Sequence, residues 1–427
     1  MIRSALAAGK KRSRPRHLLS GIVSLFFLAA FLLLFIREPS VQTALMMVAV
    51  PCALWAAATL LPRLFPMDRL LLELIGFLCG LGVLLQYRYT PSRGLAQCLN
   101  CGAGYVAMIV CALAVRHIRN WKLLVLPIIA GCVGMMALPF VFRAANKGLG
   151  ATAWVAFGSF NMQPSEIVKI AYLFVLAYFL SRRKVLLSMI YMAAMLGILV
   201  LQRDLGTAAI YGGTALVLLY ASTGSFLLIA GILGAGLGAV SVLYALFRNS
   251  FFLTVQNRIN NWLNPFATYN QPGGGYQIVQ GLIAMANGGL WGTGVGLGNA
   301  DVIPEFRNDF IFSALMNEYG FLFALIIVCI YILIVLRCAD IGLRSSSAFH
   351  ALLSMGSGAM LAVQAFIIIG GVTKFIPMTG VTVPFLSYGG TSLVSCMGVL
   401  GIAQGVASRN ERILREDSRI AQGEESL

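Results

Sequence analysis

The chain has 427 residues, of which 59% are hydrophobic and only 11% are charged. With a mean hydropathy of +0.86, this composition excludes a water-soluble globular fold, which does not bury so much apolar surface. The net charge of +16 does not indicate nucleic-acid binding, because the basic residues are spread over short loops without interleaved aromatic residues.

Apolar runs long enough to cross about 30 Å of hydrocarbon recur along the chain, so we predict an all-α, polytopic transmembrane helical bundle of about twelve spans. The predicted spans are 18–36, 41–61, 69–87, 101–115, 122–142, 166–180, 186–201, 205–221, 226–246, 310–336, 348–372 and 384–407. The short runs 101–115 and 166–180 are compatible with longer helices, and the neighbouring runs 186–201 and 205–221 also fit one broken helix.

Lysine and arginine residues in the short loops set the expected orientation, because basic loops stay in the cytoplasm. An even number of spans puts both termini on one side, and a cytoplasmic placement keeps most of the 31 Lys and Arg residues inside. We therefore predict a basic cytoplasmic tail (1–17), an N-terminal transmembrane hairpin (18–61), a core (69–407) with a large extracytoplasmic loop (247–309), and a cytoplasmic tail (408–427).

Cysteine and histidine give little sign of a metal centre. The nine cysteines lie mostly inside predicted spans, and only Cys98 and Cys101 have a spacing typical of a metal or disulfide site. There is no second such pair, and the three histidines fall on the opposite side of the membrane. We therefore expect no metal site built by the protein alone.

Acidic residues on the outer side fall where the apolar pattern breaks, and ionisable groups at such depths often mark function. In "NMQPSEIVKIAY", Glu166 and Lys169 share a helix face, although this spacing also fits an ion pair that only anchors the helix end. In "LQRDLGTA", Asp204 fits either an ordinary turn or a site at the outer surface.

The loop 247–309 is too rich in aromatic residues to be a disordered linker. Within it, "YQIVQGLIAMANGG" predicts a short amphipathic helix with one apolar face formed by Val279, Leu282, Ile283 and Ala286. The run "GGLWGTGVGLG" follows no strand, so it favours tight backbone turns over a nucleotide-binding loop.

The loop ends in "PEFRNDFIFSALMNEYG", which places Asp309 at the mouth of an apolar helix. Ser313 and Asn317 continue a polar stripe from it, which either solvates a site or packs against a neighbour. Asp301 and Glu305 would raise the pKa of Asp309 if they fold close to it.

Six motifs, in order, resemble those of the SEDS family (RodA, FtsW and SpoVE). They are "GSFNMQPSEIVK", "QRDLGTA", "NRINNWLNPF", "GGGYQIVQGLIAMANGGLWGTGVGLG", "IPEFRNDFIFSALMNEYGF" and "IPMTGVTVPFLSYGGTSL". The resemblance implies a peptidoglycan glycosyltransferase that polymerises lipid II on the outer face of the bacterial plasma membrane. It also implies a class B penicillin-binding protein as partner, among other elongation or division membrane proteins, and makes 18–61 an addition to a ten-span core.

The resemblance also assigns site residues. Asp309 matches the family's essential aspartate and would act as general base on the acceptor hydroxyl. Glu166 and Lys169 match "F-Q-P-S-E-x-x-K", and Asp204 matches "Q-P-D-L-G-T", although Arg203 replaces the usual proline.

Cationic groups on the outer side would stabilise the departing diphosphate, and the candidates are Lys169, Arg258 and Lys374. In the SEDS family an arginine commonly precedes the tryptophan of the segment that corresponds to "GATAW". This arginine is missing at 150–154. No cofactor is evident, and assistance by a divalent cation such as Mg or Mn stays open.

Two other classes of function remain. A flippase or transporter for a lipid-linked precursor would also place charges and helix breaks inside the membrane. The acids, however, concentrate on one side, and no inverted repeat pairs the two halves. A scaffold that only recruits partners would give Asp309 no reason to lie beside an aromatic-rich loop.

Overall fold

The computed structural model describes residues 18–118, 120–142, 153–157, 160–246, 253–271, 274–304 and 306–424. The predicted tail 1–17, Glu305, and the start of both the "GATAW" segment and the large loop lie outside these residues. The described part of the chain forms fourteen α-helices and one two-stranded sheet.

The helices are α1 (Leu18–Arg37), α2 (Val41–Leu64), α3 (Arg69–Tyr89), α4 (Pro91–His117), α5 (Trp121–Val141), α6 (Pro164–Ser181), α7 (Val185–Leu201), α8 (Leu205–Thr223), α9 (Phe226–Leu246), α10 (Leu253–Leu263), α11 (Tyr276–Gly288), α12 (Ile311–Leu343), α13 (Ala348–Val372) and α14 (Gly390–Glu424). Strands β1 (Val155–Phe157) and β2 (Phe160–Met162) pair antiparallel, with Val155 opposite Met162.

Among the described residues, ten helices are long and apolar enough to cross a membrane, namely α1 to α6, α8, and α12 to α14. Helix α7 is apolar but has 17 residues, and the apolar stretch of α9 is Phe226–Gly238. Every predicted span coincides with a helix. The prediction of an all-α, multi-pass membrane protein is therefore confirmed, and the number twelve is approximate.

Two helices begin away from the predicted span starts. Helix α4 begins at Pro91, which agrees with the longer helix left open for 101–115, because proline suits a first helical turn and the polar residues that follow are used for packing. Gln97, for example, is fully buried and donates a hydrogen bond of 3.2 Å to the Ser387 carbonyl. Helix α14 begins at Gly390 rather than 384 and continues through the predicted tail to Glu424.

Helices α7 and α8 are separate, so the alternative of one broken helix is wrong. The chain reverses at Arg203, which has φ 62° in the left-handed region. Proline cannot adopt this φ. The replacement of the family's proline by Arg203 therefore gives this turn a backbone conformation that the family's residue does not allow.

Helix α12, predicted as continuous, is broken at Gly320, which has φ 80° and ψ 175°. The glycine-rich run 289–294 lies in the break and supplies acceptors for the helix half that follows it. The Phe321 N–H donates to the Gly289 carbonyl at 2.9 Å, and the Leu322 N–H donates to the Leu290 carbonyl at 3.2 Å. These bonds satisfy amides that a helix start leaves without partners.

The same run supplies donors to the helix half before the break. The N–H groups of Thr293 and Gly294 donate to the carbonyls of Asn317 and Glu318 at 2.9 and 3.0 Å. Gly292 has φ 84°, and a Cβ there would lie 2.2 Å from the Glu318 carbonyl oxygen. The run therefore has to be glycine-rich, as the prediction of tight backbone turns requires.

At the end of the bundle away from Asp309, one aspartate joins three helices. Asp68 caps α3 by accepting from the Leu71 N–H at 2.9 Å, and it forms an ion pair with Arg337 of α12 at 2.5 Å. The side chain of Gln404, on α14, donates to the Asp68 carbonyl at 3.1 Å. These contacts fix α12 and α14 against α3, and thus fix the frame on which the Asp309 end is built.

Candidate active site

A cavity of about 630 Å³ lies among α4, α6, α8, β2 and the segments on either side of the α14 start. Three carboxylates, Glu166, Asp204 and Asp309, are in its wall. The other polar residues that line it are Asn100, Asn161, Gln163, Thr207, Asn308, Thr382, Tyr388, Thr391, Ser392 and Ser395. Residues from Asn100 to Ser395 of the chain thus meet around one space.

Asp309 is half-buried and stands two residues before the start of α12. The backbone before it is fixed from two directions, because the Arg307 carbonyl accepts from the Tyr388 N–H and from the Gln86 side chain, both at 2.9 Å. The Ser387 hydroxyl also donates to the Asn308 carbonyl. These bonds fix the backbone from which the Asp309 side chain extends.

The irregular segment 376–389 passes directly over the Asp309 carboxylate, and its last part, 384–389, was predicted as the start of the last span. A Cβ built on Gly380, which has φ 76°, would lie 3.7 Å from Asp309 Oδ2. The Thr382 carbonyl accepts from Gln364 at 3.0 Å, and its hydroxyl contacts Ser392 at 2.6 Å. Non-helical backbone at the level of the spans is tolerated where it lines a cavity, which is its position here.

Glu166 and Lys169 form an ion pair with 2.5 Å between Lys169 Nζ and Glu166 Oε2. Glu166 faces the cavity and accepts from the Ser395 hydroxyl at 2.7 Å, whereas Lys169 is only 2% exposed and lies behind it. Lys169 Nζ also donates to Gln364 at 3.2 Å. The pair links α6 to α13 and α14, so it does more than anchor the end of its own helix.

Asp204 has both of the roles that the sequence left open. Its Oδ1 caps α8 by accepting from the Thr207 N–H at 3.0 Å, and its Oδ2 accepts from Gln163 at 2.7 Å. Burial raises the pKa of Asp204 above its ordinary value, and the hydrogen bonds from Thr207 and Gln163 oppose this shift. Asp204 is therefore a turn residue that also contributes a carboxylate to the cavity.

The predicted cationic residues do not line the cavity. Lys169 lies behind Glu166, and Arg258 of α10 donates to the Thr379 carbonyl at 3.1 Å, at the cavity edge next to Gly380. Lys374 is half-buried, and its carbonyl accepts from Trp262 at 3.0 Å. Lys169 therefore reaches the wall only through Glu166, whereas Arg258 is fixed to a residue beside the wall.

The polar stripe on α12 packs against the loop and does not line the cavity. Asn317 is buried, donates to the Ala284 carbonyl at 2.8 Å and accepts from the Asn299 N–H at 2.9 Å. Ser313 is also fully buried. Asp301 is exposed in a 3-10 turn and is not part of the cavity wall.

The predicted short helix is α11 (Tyr276–Gly288). Of the residues placed on its apolar face, Val279 is buried, Leu282 is half-buried and Ile283 is 45% exposed. The helix also packs through its glycines, because a Cβ on Gly288 would lie 2.1 Å from the Met316 carbonyl oxygen of α12. A hydrophobicity pattern does not identify a contact that depends on missing side chains.

An apolar groove of about 330 Å³ lies between α4, α5 and α6. Two residues, Ile167 and Ile170, line both this groove and the carboxylate cavity. The polar space around Asp309 therefore continues, across one face of α6, into a groove on the apolar side of the bundle. Among the described residues, no three Asp, Glu, His or Cys side chains are grouped so that they could hold a metal ion.

The model of the family of FtsW, RodA and SpoVE, described as "Cell cycle protein", matches residues 69–412. The chain belongs to this family. It is 32% identical over 339 residues to the probable peptidoglycan glycosyltransferase FtsW of Geobacter metallireducens, covering 76% of this chain and 86% of that protein. It is 33% identical over 387 residues to the peptidoglycan glycosyltransferase RodA of Mycobacterium tuberculosis H37Rv, covering 82% and 80%.

Solved structures have the same fold. A chain from a peptidoglycan synthase complex that coordinates polymerization and crosslinking matches 81% of this chain and 98% of its own length, with a TM-score of 0.65 and 22% identity. The rod shape determining protein RodA of Thermus thermophilus matches with a TM-score of 0.58 and 23% identity, over 81% and 98% of the two chains.

The FtsW, RodA and SpoVE match begins with α3, so α1 and α2 lie outside it. It includes every residue of the cavity wall. Several of these, such as Gln163, Thr382 and Ser395, were not predicted individually. Gln163 and Thr382 lie inside the quoted motifs, which are the only signal for them, whereas Ser395 comes after the last motif.

Proposed function

We propose that this protein is a peptidoglycan glycosyltransferase that polymerises lipid II into β-1,4 glycan strands at the outer face of the bacterial plasma membrane. The observation that carries the proposal is the position of Asp309 in the wall of the cavity that also contains Glu166 and Asp204. The support for the substrate class is that curated relatives at 32% and 33% identity are named peptidoglycan glycosyltransferases.

In the proposed reaction, Asp309 removes the proton from the 4-hydroxyl of the acceptor sugar as its oxygen attacks the anomeric carbon of the donor. The new glycosidic C–O bond forms while the bond to the diphosphate breaks, and the electron pair leaves with undecaprenyl diphosphate. Because a diphosphate departs without a proton, one carboxylate suffices, whereas a glycosidase needs a paired acid and base. A single displacement inverts the donor's α linkage to β.

The neighbouring carboxylates have different proposed roles. Glu166 is held by Lys169 and Ser395, so it presents a fixed acceptor to a sugar hydroxyl or amide. Asp204, held by Thr207 and Gln163, does the same from the start of α8. Neither replaces Asp309 as base in this scheme, because Asp309 is the residue that matches the essential aspartate of the SEDS motif.

The groove shared through Ile167 and Ile170 fits the lipid part of the substrate. A polyprenyl chain in this groove would leave the sugar and diphosphate in the polar cavity. Of the predicted cations, Arg258 at the cavity edge is the best placed for the diphosphate, and Lys169 acts through Glu166. The described residues do not group as ligands of a divalent cation, so no step is assigned to one.

The proposed orientation puts both termini in the cytoplasm and the cavity on the outer side. It is supported by arginine and lysine residues at the opposite end of the bundle, such as Arg63, Arg182 and Lys184. We also propose a class B penicillin-binding protein as partner, because a structural neighbour belongs to a complex that coordinates polymerization and crosslinking. Membrane proteins of cell elongation or division are the other proposed partners.

The function is tested with the purified protein in liposomes and fluorescent lipid II, with and without a class B penicillin-binding protein. We expect a ladder of glycan strands. Movement of lipid II between leaflets without strands would instead indicate a transporter, and the absence of both would indicate a scaffold. Either of these results contradicts the proposal.

A further inference from the structure

The end of α1 contacts the loop that fills the break in α12. Arg37, the last residue of α1, donates through Nη1 to the Gly296 carbonyl, and Arg88 of α3 donates to the same carbonyl at 2.7 Å. The Gly296 N–H donates to Glu318 Oε2 at 3.1 Å. Two guanidinium groups therefore bind the carbonyl of one buried glycine, whose own N–H binds a buried carboxylate.

Glu318 requires this arrangement because it is only 1% exposed and lies within an apolar helix. Arg88 Nε is 3.4 Å from Glu318 Oε1. Burying a carboxylate without a positive partner costs free energy of folding. Positive groups beside Glu318 offset this cost and therefore stabilise the structure around it. Arg37 brings a second positive charge to the Gly296 carbonyl, which Arg88 also binds, from a different helix.

Helix α1 packs closely against the loop at Gly296. Gly296 has φ 77°, and a Cβ there would lie 3.1 Å from Leu34 Cδ2 and 3.5 Å from Arg37 Nη1. Leu34 is buried. The last turn of α1 therefore packs against the loop through an apolar side chain as well as through its arginine.

Helix α1 also contacts α12 beyond the break. Phe26 stacks on Phe323 with ring centroids 5.9 Å apart and an interplanar angle of 12°. The helix thus contacts the bundle on both sides of Gly320, although it lies outside the 69–412 family match. A hairpin that served only as an extra membrane anchor would not need these contacts.

We propose that Arg37 is a positioning residue, which holds the loop 289–299 in the break of α12 and thereby fixes Asp309 at the cavity. The path is short, because Glu318 lies roughly 10 Å along a helix of about 1.5 Å per residue from the start of α12 at Ile311. The inference has two tests. The test by enzymatic activity rests on the proposed function, whereas the test by hydrogen exchange does not.

The structural readout is hydrogen exchange of the full-length protein in detergent. Arg37→Gln removes the charged donor, and Arg63→Gln is the matched control, because Arg63 is an exposed arginine in the last turn of α2, at the other end of the same hairpin. We expect amides of residues 293–299 to exchange at least about tenfold faster in Arg37→Gln and unchanged in Arg63→Gln. Equal exchange in the two variants would overturn the inference.

The activity readout separates positioning from substrate binding. We expect Arg37→Gln to lower the maximal rate of glycan formation about tenfold, with the half-saturating concentration of lipid II changed less than about twofold. Arg37→Lys, which keeps a charged donor, should recover part of the rate, and it carries the test if Arg37→Gln does not fold. Faster exchange with an unchanged rate would also overturn the inference.

The two proposals fail in different ways. If the wild-type protein forms no glycan, the proposed function is wrong, while the exchange of residues 293–299 still decides whether Arg37 holds the loop. If the wild type is active but Arg37→Gln matches Arg63→Gln in exchange and in rate, only the positioning role is wrong.

Discussion

The backbone N–H of Tyr388 donates a hydrogen bond of 2.9 Å to the carbonyl oxygen of Arg307, two residues before Asp309. This bond joins the start of α12 to the irregular segment that precedes α14. Because the segment also passes over Asp309 at Gly380, the position of the carboxylate depends on a part of the chain far from it in sequence. Changes in that segment should therefore affect the reaction more than the stability.

Gly380→Ala tests this dependence. Gly380 has φ 76° and lies beside Asp309, whereas Gly224 has a similar φ of 66° and nothing within 4 Å of a Cβ built there. Both alanines pay a comparable backbone cost of about 1–2 kcal/mol. We expect Gly380→Ala to slow glycan formation by about 10–100-fold and Gly224→Ala to leave the rate unchanged. If Gly380→Ala and Gly224→Ala form glycan at equal rates and have the same thermal stability, the segment does not position Asp309.

Gly292→Ala tests the loop inserted into the break of α12. Its Cβ would lie 2.2 Å from the Glu318 carbonyl oxygen, whereas Gly289, with φ 55°, has nothing within 4 Å of a Cβ built there. Gly289, with ψ −146°, has a backbone conformation that strongly favours glycine, so Gly289→Ala should cost only backbone strain of about 1–3 kcal/mol. Gly292→Ala should cost about 1–3 kcal/mol more than that, because its Cβ also overlaps the carbonyl oxygen. Thermal unfolding in detergent measures both, and a similar loss for the two variants would contradict the close packing described here.

Lys169→Met tests the buried pair beneath the cavity. It leaves Glu166 as an unpaired buried carboxylate, which should lower the free energy of unfolding by about 3–5 kcal/mol. The double variant Glu166→Gln/Lys169→Met should recover most of that loss, because it removes both charges. Arg344→Gln breaks a bridge whose arginine is 67% exposed, and it should cost less than about 1 kcal/mol. A loss in Lys169→Met as small as that of Arg344→Gln would contradict the buried ion pair.

The helical bundle was predictable from the sequence because spans need long apolar runs, and these are visible without any tertiary information. The errors have specific physical causes. The start of α4 is polar because Gln97 bonds to Ser387 within the bundle. The break in α12 at Gly320 is not visible as a loss of hydrophobicity, since its hydrogen bonds are completed by the glycine-rich run.

The cavity was predictable only in part. Asp309, Glu166 and Asp204 were predicted because charged residues are rare in apolar segments and lie within recognisable motifs. Ser395 and Gln364, which complete the surroundings of Glu166 and Lys169, are ordinary polar residues in helices, and only the packing of α13 and α14 brings them to α6. The roles of Arg37 and Gly296 depend on contacts between distant segments, which no local pattern contains.

The most direct test of the proposed chemistry is the rate of lipid II polymerisation by Asp309→Asn, compared with wild type and with Asp301→Asn. Asparagine keeps the shape of the side chain but cannot accept the proton, and Asp301 is an exposed acid of the same loop outside the cavity. We expect Asp309→Asn to lose about 10²–10⁴-fold in rate while still folding and binding lipid II, and Asp301→Asn to match wild type. Glycan formation by Asp309→Asn at the wild-type rate would contradict the account.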